Sequence, residues 1–166
     1  MSKKTDDTIE PEQHTEDLEK PFLQALKVRR AGNINKAIEL LQQVLKGDPR
    51  LPEPHLELAH IYLEAERFDD AEERAREGLR WLQQGGQWVE NLKQNVVLSH
   101  AHDLLGQILQ EKAATDEIVF GDEDVFRALL KESKEHFETA RTLDPKNDHA
   151  NFNAFFLNME GDAGEA

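Results

Sequence analysis

Between residues 16 and 160, apolar residues recur at intervals of three and four, the spacing that places side chains on one face of an α-helix. Glycine, proline and asparagine cut that pattern into segments. It predicts a first helix over about 16–30 that buries Leu18, Ala25 and Val28, followed by a turn at Ala31-Gly32-Asn33. A second helix over about 35–46 carries Ala37, Leu41, Val44 and Leu45 on one side, and Gly47-Asp48-Pro49 stops it because proline cannot continue the hydrogen-bond ladder. Pro52 and Pro54 stand at the entrance of a third helix, where prolines are tolerated, with Leu58, Ala59 and Tyr62 inward. A fourth helix buries Phe68, Ala71, Ala75 and Leu79 and ends before Gly85-Gly86. The fifth is expected from Trp88 to about Lys112, with a possible interruption at Gln94-Asn95. Asp122 is placed to cap a sixth, in which Phe126, Leu130, Ser133, Phe137 and Ala140 follow at four and three. Asp148 is placed to cap a seventh, with Phe152, Phe155, Phe156 and Met159 along one side.

The ends differ from this body. Residues 1–15 mix charged and polar residues around a lone Ile9, too little apolar surface to offset the entropy of ordering, so a flexible acidic tail is expected. A second acidic tail is expected over 161–166.

Self-similarity adds a second level of order. Ala25 and Ala59 lie 34 residues apart, as do Ala37 and Ala71, Val28 and Tyr62, and Gly32-Asn33-Ile34 and Glu66-Arg67-Phe68. The strings His55-x2-Leu58-Ala59-x2-Tyr62 and His102-x2-Leu105-Gly106-x2-Leu109 repeat one pattern; Ala37, Leu41, Pro49 and Ser133, Phe137, Ala140, Pro145 repeat a second. These residues resemble the tetratricopeptide repeat, a helix–turn–helix unit of 34 residues. The resemblance covers about 17–146 and implies an all-α solenoid of three repeats, over about 18–51, 52–85 and 88–146, closed by a capping helix at 147–160. Pro21, His55 and His102 stand where the family usually has tryptophan, and Gln83 replaces the closing proline of repeat two. Gly106 to Ser133 spans 27 residues where Ala25–Ala37 and Ala59–Ala71 span 12, so insertions enlarge the third hairpin.

The resemblance also implies a role: a protein or peptide partner lying in a concave groove lined by the first helix of each pair. The groove positions are Phe22, Leu26, Arg29 and Arg30 in repeat one, Leu56, His60, Leu63 and Glu64 in repeat two, and Asp103, Gln107, Gln110 and Glu111 in repeat three. Part of the family grips acidic peptide C-termini with a Lys, Asn and Arg clamp. Leu, Glu, Asp and Gln prevail at the matching places here, which disfavours that ligand and suits an apolar segment flanked by basic residues. The tip of the enlarged hairpin, Ile118-Val119-Phe120 between acidic neighbours, is a second binding candidate, or else folds back onto its helices.

Charge narrows the partner class further. With 34 acidic and 20 basic residues and a formal charge of −14, the surface repels a phosphate backbone and anionic lipid. Neither nucleic acid nor membrane insertion is expected, and no segment approaches the ~20 apolar residues of a membrane span. The charged N-terminus reads as that of a cytoplasmic protein without a signal peptide. The absence of cysteine removes disulfides and thiolate sites.

His100-Ala101-His102-Asp103 is the one string that looks like a metal or hydrolase motif. Successive helical positions turn about 100°, so His100 and His102 point away from each other and cannot grip one ion as residues at i and i+4 do. No nucleophile elbow, phosphate loop or calcium loop appears. The reading is therefore a non-enzymatic adaptor or assembly factor without cofactor or metal. The alternatives are a small acidic secretion-type chaperone for an apolar client segment and, in a different class, a metal-dependent hydrolase using His100, His102 and Asp103.

Overall fold

The computed structural model describes residues 11–88 and 92–163, with side chains described from Asp17 to Trp88 and from Leu92 to Phe155. Among them the regular elements are all helical: α1 (Pro11–Arg30), α2 (Ile34–Gly47), α3 (Pro52–Glu64), α4 (Phe68–Gln83), α5 (Gln94–Ala113), α6 (Asp116–Val119), α7 (Glu123–Leu143) and α8 (Asp148–Ala163). The chain divides into two compact units at Pro49/Arg50.

The first unit is one helical hairpin. Asn33 caps α2, its side chain accepting from the Lys36 amide at 3.2 Å. The expected stripe of Ala37, Leu41, Val44 and Leu45 is buried, joined by Leu40. On α1, Ala25 is buried, whereas Leu18 and Val28 are only half-buried; Leu18 packs close over Gly47. Helix α1 takes in residues 11–15, which were expected in the tail; residues 1–10 lie outside the described part.

The second unit pairs α3 with α4 and α5 with α7, then adds α8 against α7. Leu58, Ala59, Tyr62, Ala71, Ala75 and Leu79 are all buried, as the spacing requires. The extra residues of the third hairpin extend its helices: α5 and α7 have 20 and 21 residues against 13 and 16 in α3 and α4. The short α6, which the periodicity did not predict, bridges them. Helix α5 begins at Gln94 rather than at Trp88, whose backbone N–H instead donates to Glu53 Oε1 at 2.8 Å.

Three helices end in the same way. Gly32, Glu66 and Gly85 have φ of +86°, +57° and +79°. Around each, the next amide reaches back five residues (Asn33 to Val28, Arg67 to Tyr62, Gly86 to Trp81), and its own amide reaches back three. This double closure satisfies carbonyls that a helix end leaves open, and it needs a left-handed residue at its centre. Glycine takes that conformation freely; Glu66 does not. The Arg67 guanidinium, 4.5 Å from the Tyr62 ring centroid, adds a contact across the same turn.

The α5–α7 crossing depends on Gly106 and Phe137. A Cβ at Gly106 would lie 3.0–3.1 Å from the fully buried Phe137 ring. Ser133, at the register of Ala37 and Ala71, donates its hydroxyl to the Gly106 carbonyl at 2.6 Å. One crossing along, buried Ser99 donates to the Ala140 carbonyl at 2.7 Å and accepts from Asn147 Nδ2 at 3.0 Å. Asn147, not Asp148, caps α8: its side-chain oxygen accepts from the Ala150 amide at 3.1 Å. Ala150 and Ala154 are buried, while Phe152 and Phe155 are about 60% exposed (61% and 60%), so the phenylalanine side expected along this helix is not its packed side. Phe156 and Met159 lie outside the described side chains, and of the expected second tail, residues 161–163 belong to α8.

Two stability changes are expected. Replacing Glu66 with Gly should raise unfolding free energy by roughly 0.5–1 kcal/mol in urea titrations, because it relieves the left-handed strain. Phe137→Ala should cost about 3–5 kcal/mol, read the same way.

Candidate partner-binding surfaces

The first-helix positions are not equally available. In the first unit Phe22 is buried, Leu26 and Arg29 are half-buried, and Arg30 is exposed. In α3, Leu63 is buried and Leu56 leans onto α4, its Cδ2 only 2.8 Å from where a Cβ on Gly78 would sit. His60 and Glu64 are exposed. In α5, Asp103 is buried and accepts from His149 Nδ1 of α8 at 2.7 Å; Gln107 and Gln110 are half-buried and Glu111 is exposed. The surface of these helices in the second unit is thus polar to acidic, with Leu56 and Leu63 largely engaged in packing.

The His-Ala-His-Asp string disperses. His100 is exposed, His102 turns inward, and Asp103 meets His149. Among the described residues no three His, Cys, Asp or Glu side chains converge on a metal position.

His102 meets a second imidazole, that of His136 on α7. Its Nδ1 lies 2.9 Å from His136 Nδ1, and the rings are tilted at 35°. One Nδ1 must carry a proton and the other must not, so the two rings cannot both be imidazolium. His136 Nε2 faces Glu132 at 3.4 Å, which favours a proton there and assigns the donor role in the pair to His102. Glu132 in turn pairs with Arg76 at 2.7 Å, and Arg76 with Glu72 at 2.8 Å. Lys112 reaches Asp69 at 2.8 Å and Glu72 at 2.9 Å. A continuous polar chain therefore ties α4, α5 and α7. Burial pushes His102 down to about 4, with His136 adding to the fall. Burial also lowers His136, against the pull of Glu132. The hydrogen bond from Arg76 holds the Glu132 carboxyl below its ordinary value.

The enlarged hairpin builds a recess. Helices α5 and α7 are longer than α3 and α4, and α6 joins them, in contact with both. A cavity of about 660 Å³ opens beside α6, bounded by Glu66 to Asp70 on one side and by Lys112, Thr115, Glu117, Ile118, Val125 and Leu129 on the other. Of the expected tip, Ile118 is half-buried and lines the recess, whereas Val119 and Phe120 are 49% and 84% exposed. Sequence reasoning missed this recess, because the periodicity did not show how the inserted residues divide between helix and loop.

Stacked helical hairpins with small residues at their crossings and glycine-like turns at their ends define a class of helical-repeat protein. Residues 29–94 match the family model described as tetratricopeptide repeat, so this part of the chain carries tetratricopeptide repeats. No curated protein sequence matches it. Among solved structures it is similar to the N-terminal domain of stress-induced protein-1 (STI-1) from C. elegans, with 10% identity and a TM-score of 0.64 over 87% of this chain and 97% of that one. That likeness is one of fold. Among the described residues no helix is long and apolar enough to cross a membrane.

The histidine pair makes stability depend on pH. His102 falls from the ordinary 6.5 to about 4, so its contribution is complete above pH 6.5 and is lost as pH falls through that interval. Allowing for partial solvation, the loss should be on the order of 2 kcal/mol. The contribution of Glu132 is lost only below 4.5, beneath most of this window. Denaturant midpoints at pH 7 and 5 should show the effect in the native chain and less of it in His102→Gln, which keeps a donor but does not titrate in this range, the remainder coming from His136.

Proposed function

We propose that this protein is a cytoplasmic protein-binding adaptor or assembly factor, holding a partner segment that is apolar and flanked by basic residues along the first-helix face of its hairpins. The observation that carries this reading is the character of that face in the second unit. Exposed His60, Glu64 and Glu111 and half-buried Gln107 and Gln110 lie on the α3 and α5 surfaces of a chain of formal charge −14. Such a surface attracts cations and disfavours an acidic peptide terminus. In the first unit, the corresponding first-helix positions are Leu26 and Arg29, half-buried, Arg30, exposed, and Phe22, buried. The polar chain from His102 to Arg76 is read as packing among α4, α5 and α7 rather than as catalytic machinery.

The reading is tested by charge reversal at exposed positions, because Leu56 is committed to packing over Gly78. On an array of peptides of varied charge and hydropathy, the native chain should retain those combining large apolar residues with Lys or Arg. The double variant E64K/E111K should keep its helical circular dichroism and lose at least tenfold in retention. Preference for acidic peptides, or unchanged retention by the variant, would overturn the proposal.

A further inference from the structure

The recess under the enlarged hairpin is separate from the first-helix face and has its own chemistry. Its apolar lining comes from three helices: Phe68 of α4, Ile118 of α6, and Val125 and Leu129 of α7. Phe68, Ile118 and Leu129 are half-buried and Val125 is 43% exposed, so apolar surface remains open to solvent inside a concave space. A cavity of about 660 Å³ lies within the range of small-ligand and side-chain sites.

The rim is negative after its internal pairs are counted. Arg67 is held by Asp70 at 2.8 Å, and Lys112 by Asp69 at 2.8 Å and Glu72 at 2.9 Å. Glu66 and Glu117 also line the recess, both exposed, and neither has an ion pair among the described residues. An acidic segment would meet like charge. A second copy of this chain presenting its exposed Val119-Phe120 tip would bring Asp116, Glu117, Asp122, Glu123 and Asp124 against the same rim. A basic segment matches the charge, and because the rim carboxylates stay near solvent, pairing with them orients the guest without a large desolvation cost.

We propose that the recess at the step between the second and third hairpins is a second docking site, which seats one large apolar side chain of a partner segment carrying an adjacent Lys or Arg. The inserted residues thereby add a recognition point that a hairpin of ordinary length would lack. The binding energy comes from covering Phe68, Ile118, Val125 and Leu129, and the choice of partner from Glu66 and Glu117.

The test uses the full chain and a glycine-serine-flanked Lys-Leu-Lys peptide as probe, monitored by amide chemical shifts and by fluorescence anisotropy of a labelled copy. The largest shifts should fall on Phe68, Thr115 and Ile118. Replacing the probe's lysines with glutamate, or its leucine with serine, should weaken binding at least fivefold. So should V125D and E117K, both at exposed positions, with melting temperature as the check on folding. The chain bearing E64K/E111K should bind the probe as the native chain does, so failure at the first-helix face and failure at the recess are read separately. Shifts confined to α3 and α5, loss of binding in E64K/E111K alone, or equal binding by V125D and E117K would overturn the proposal. Concentration-dependent self-association abolished by Phe120→Ser, with shifts at the recess in the absence of probe, would overturn it in favour of a second copy.

Discussion

Phe137 reaches the backbone of Gly106 only because glycine has no Cβ, and that approach sets the spacing of α5 and α7. With the helices so close, the Ser133 hydroxyl can reach the Gly106 carbonyl and the Ser99 hydroxyl can reach that of Ala140. Each serine is fully buried, and each has found the acceptor that makes its burial tolerable. The same closeness brings Asn147 within reach of Ser99, and Asn147 starts α8. Packing, polar satisfaction and the attachment of the last described helix thus depend on one missing methyl group.

The polar chain through His102, His136, Glu132 and Arg76 has a different logic. Two imidazoles bonded nitrogen to nitrogen cannot both be charged, and the neutral ring is what burial between α5 and α7 favours. The charges gather where solvent can share them, on Glu132, Arg76, Glu72 and Lys112, whose side chains keep between 19% and 42% exposure. This division keeps strongly charged groups out of the core while still registering α4 against both helices of the third hairpin.

Much of this was legible in the residue pattern. The spacing of 34 residues carried both the small positions, Ala25, Ala59, Ala37 and Ala71, and the turns at Gly32 and Glu66, because each repeat solves one packing problem with the same geometry. What the pattern could not carry was rotation and reach. Phe152 and Phe155 read as the apolar side of α8, yet its buried positions are Ala150 and Ala154, the latter clustered with Phe137. Asp103 read as a groove residue, and only the position of His149, 46 residues away, shows that it is engaged. The recess needed the lengths of four helices to be compared, and a count of inserted residues leaves those lengths undetermined.

The turn at Gly85 differs from those at Gly32 and Glu66 in the length of chain before the next helix. After those two, that helix begins within two residues; after Gly85, α5 waits until Gln94. The amides of Gly85 and Gly86 close the Leu82 and Trp81 carbonyls of α4 before the connector continues. Lengthening it beyond Trp88, whose amide is held by Glu53, would cost chain-closure entropy of about 0.6 kcal/mol for each doubling. Such a joint can gain or lose residues over generations without disturbing its neighbours, so a helical pair could drift in size on one side while the other keeps its dimensions.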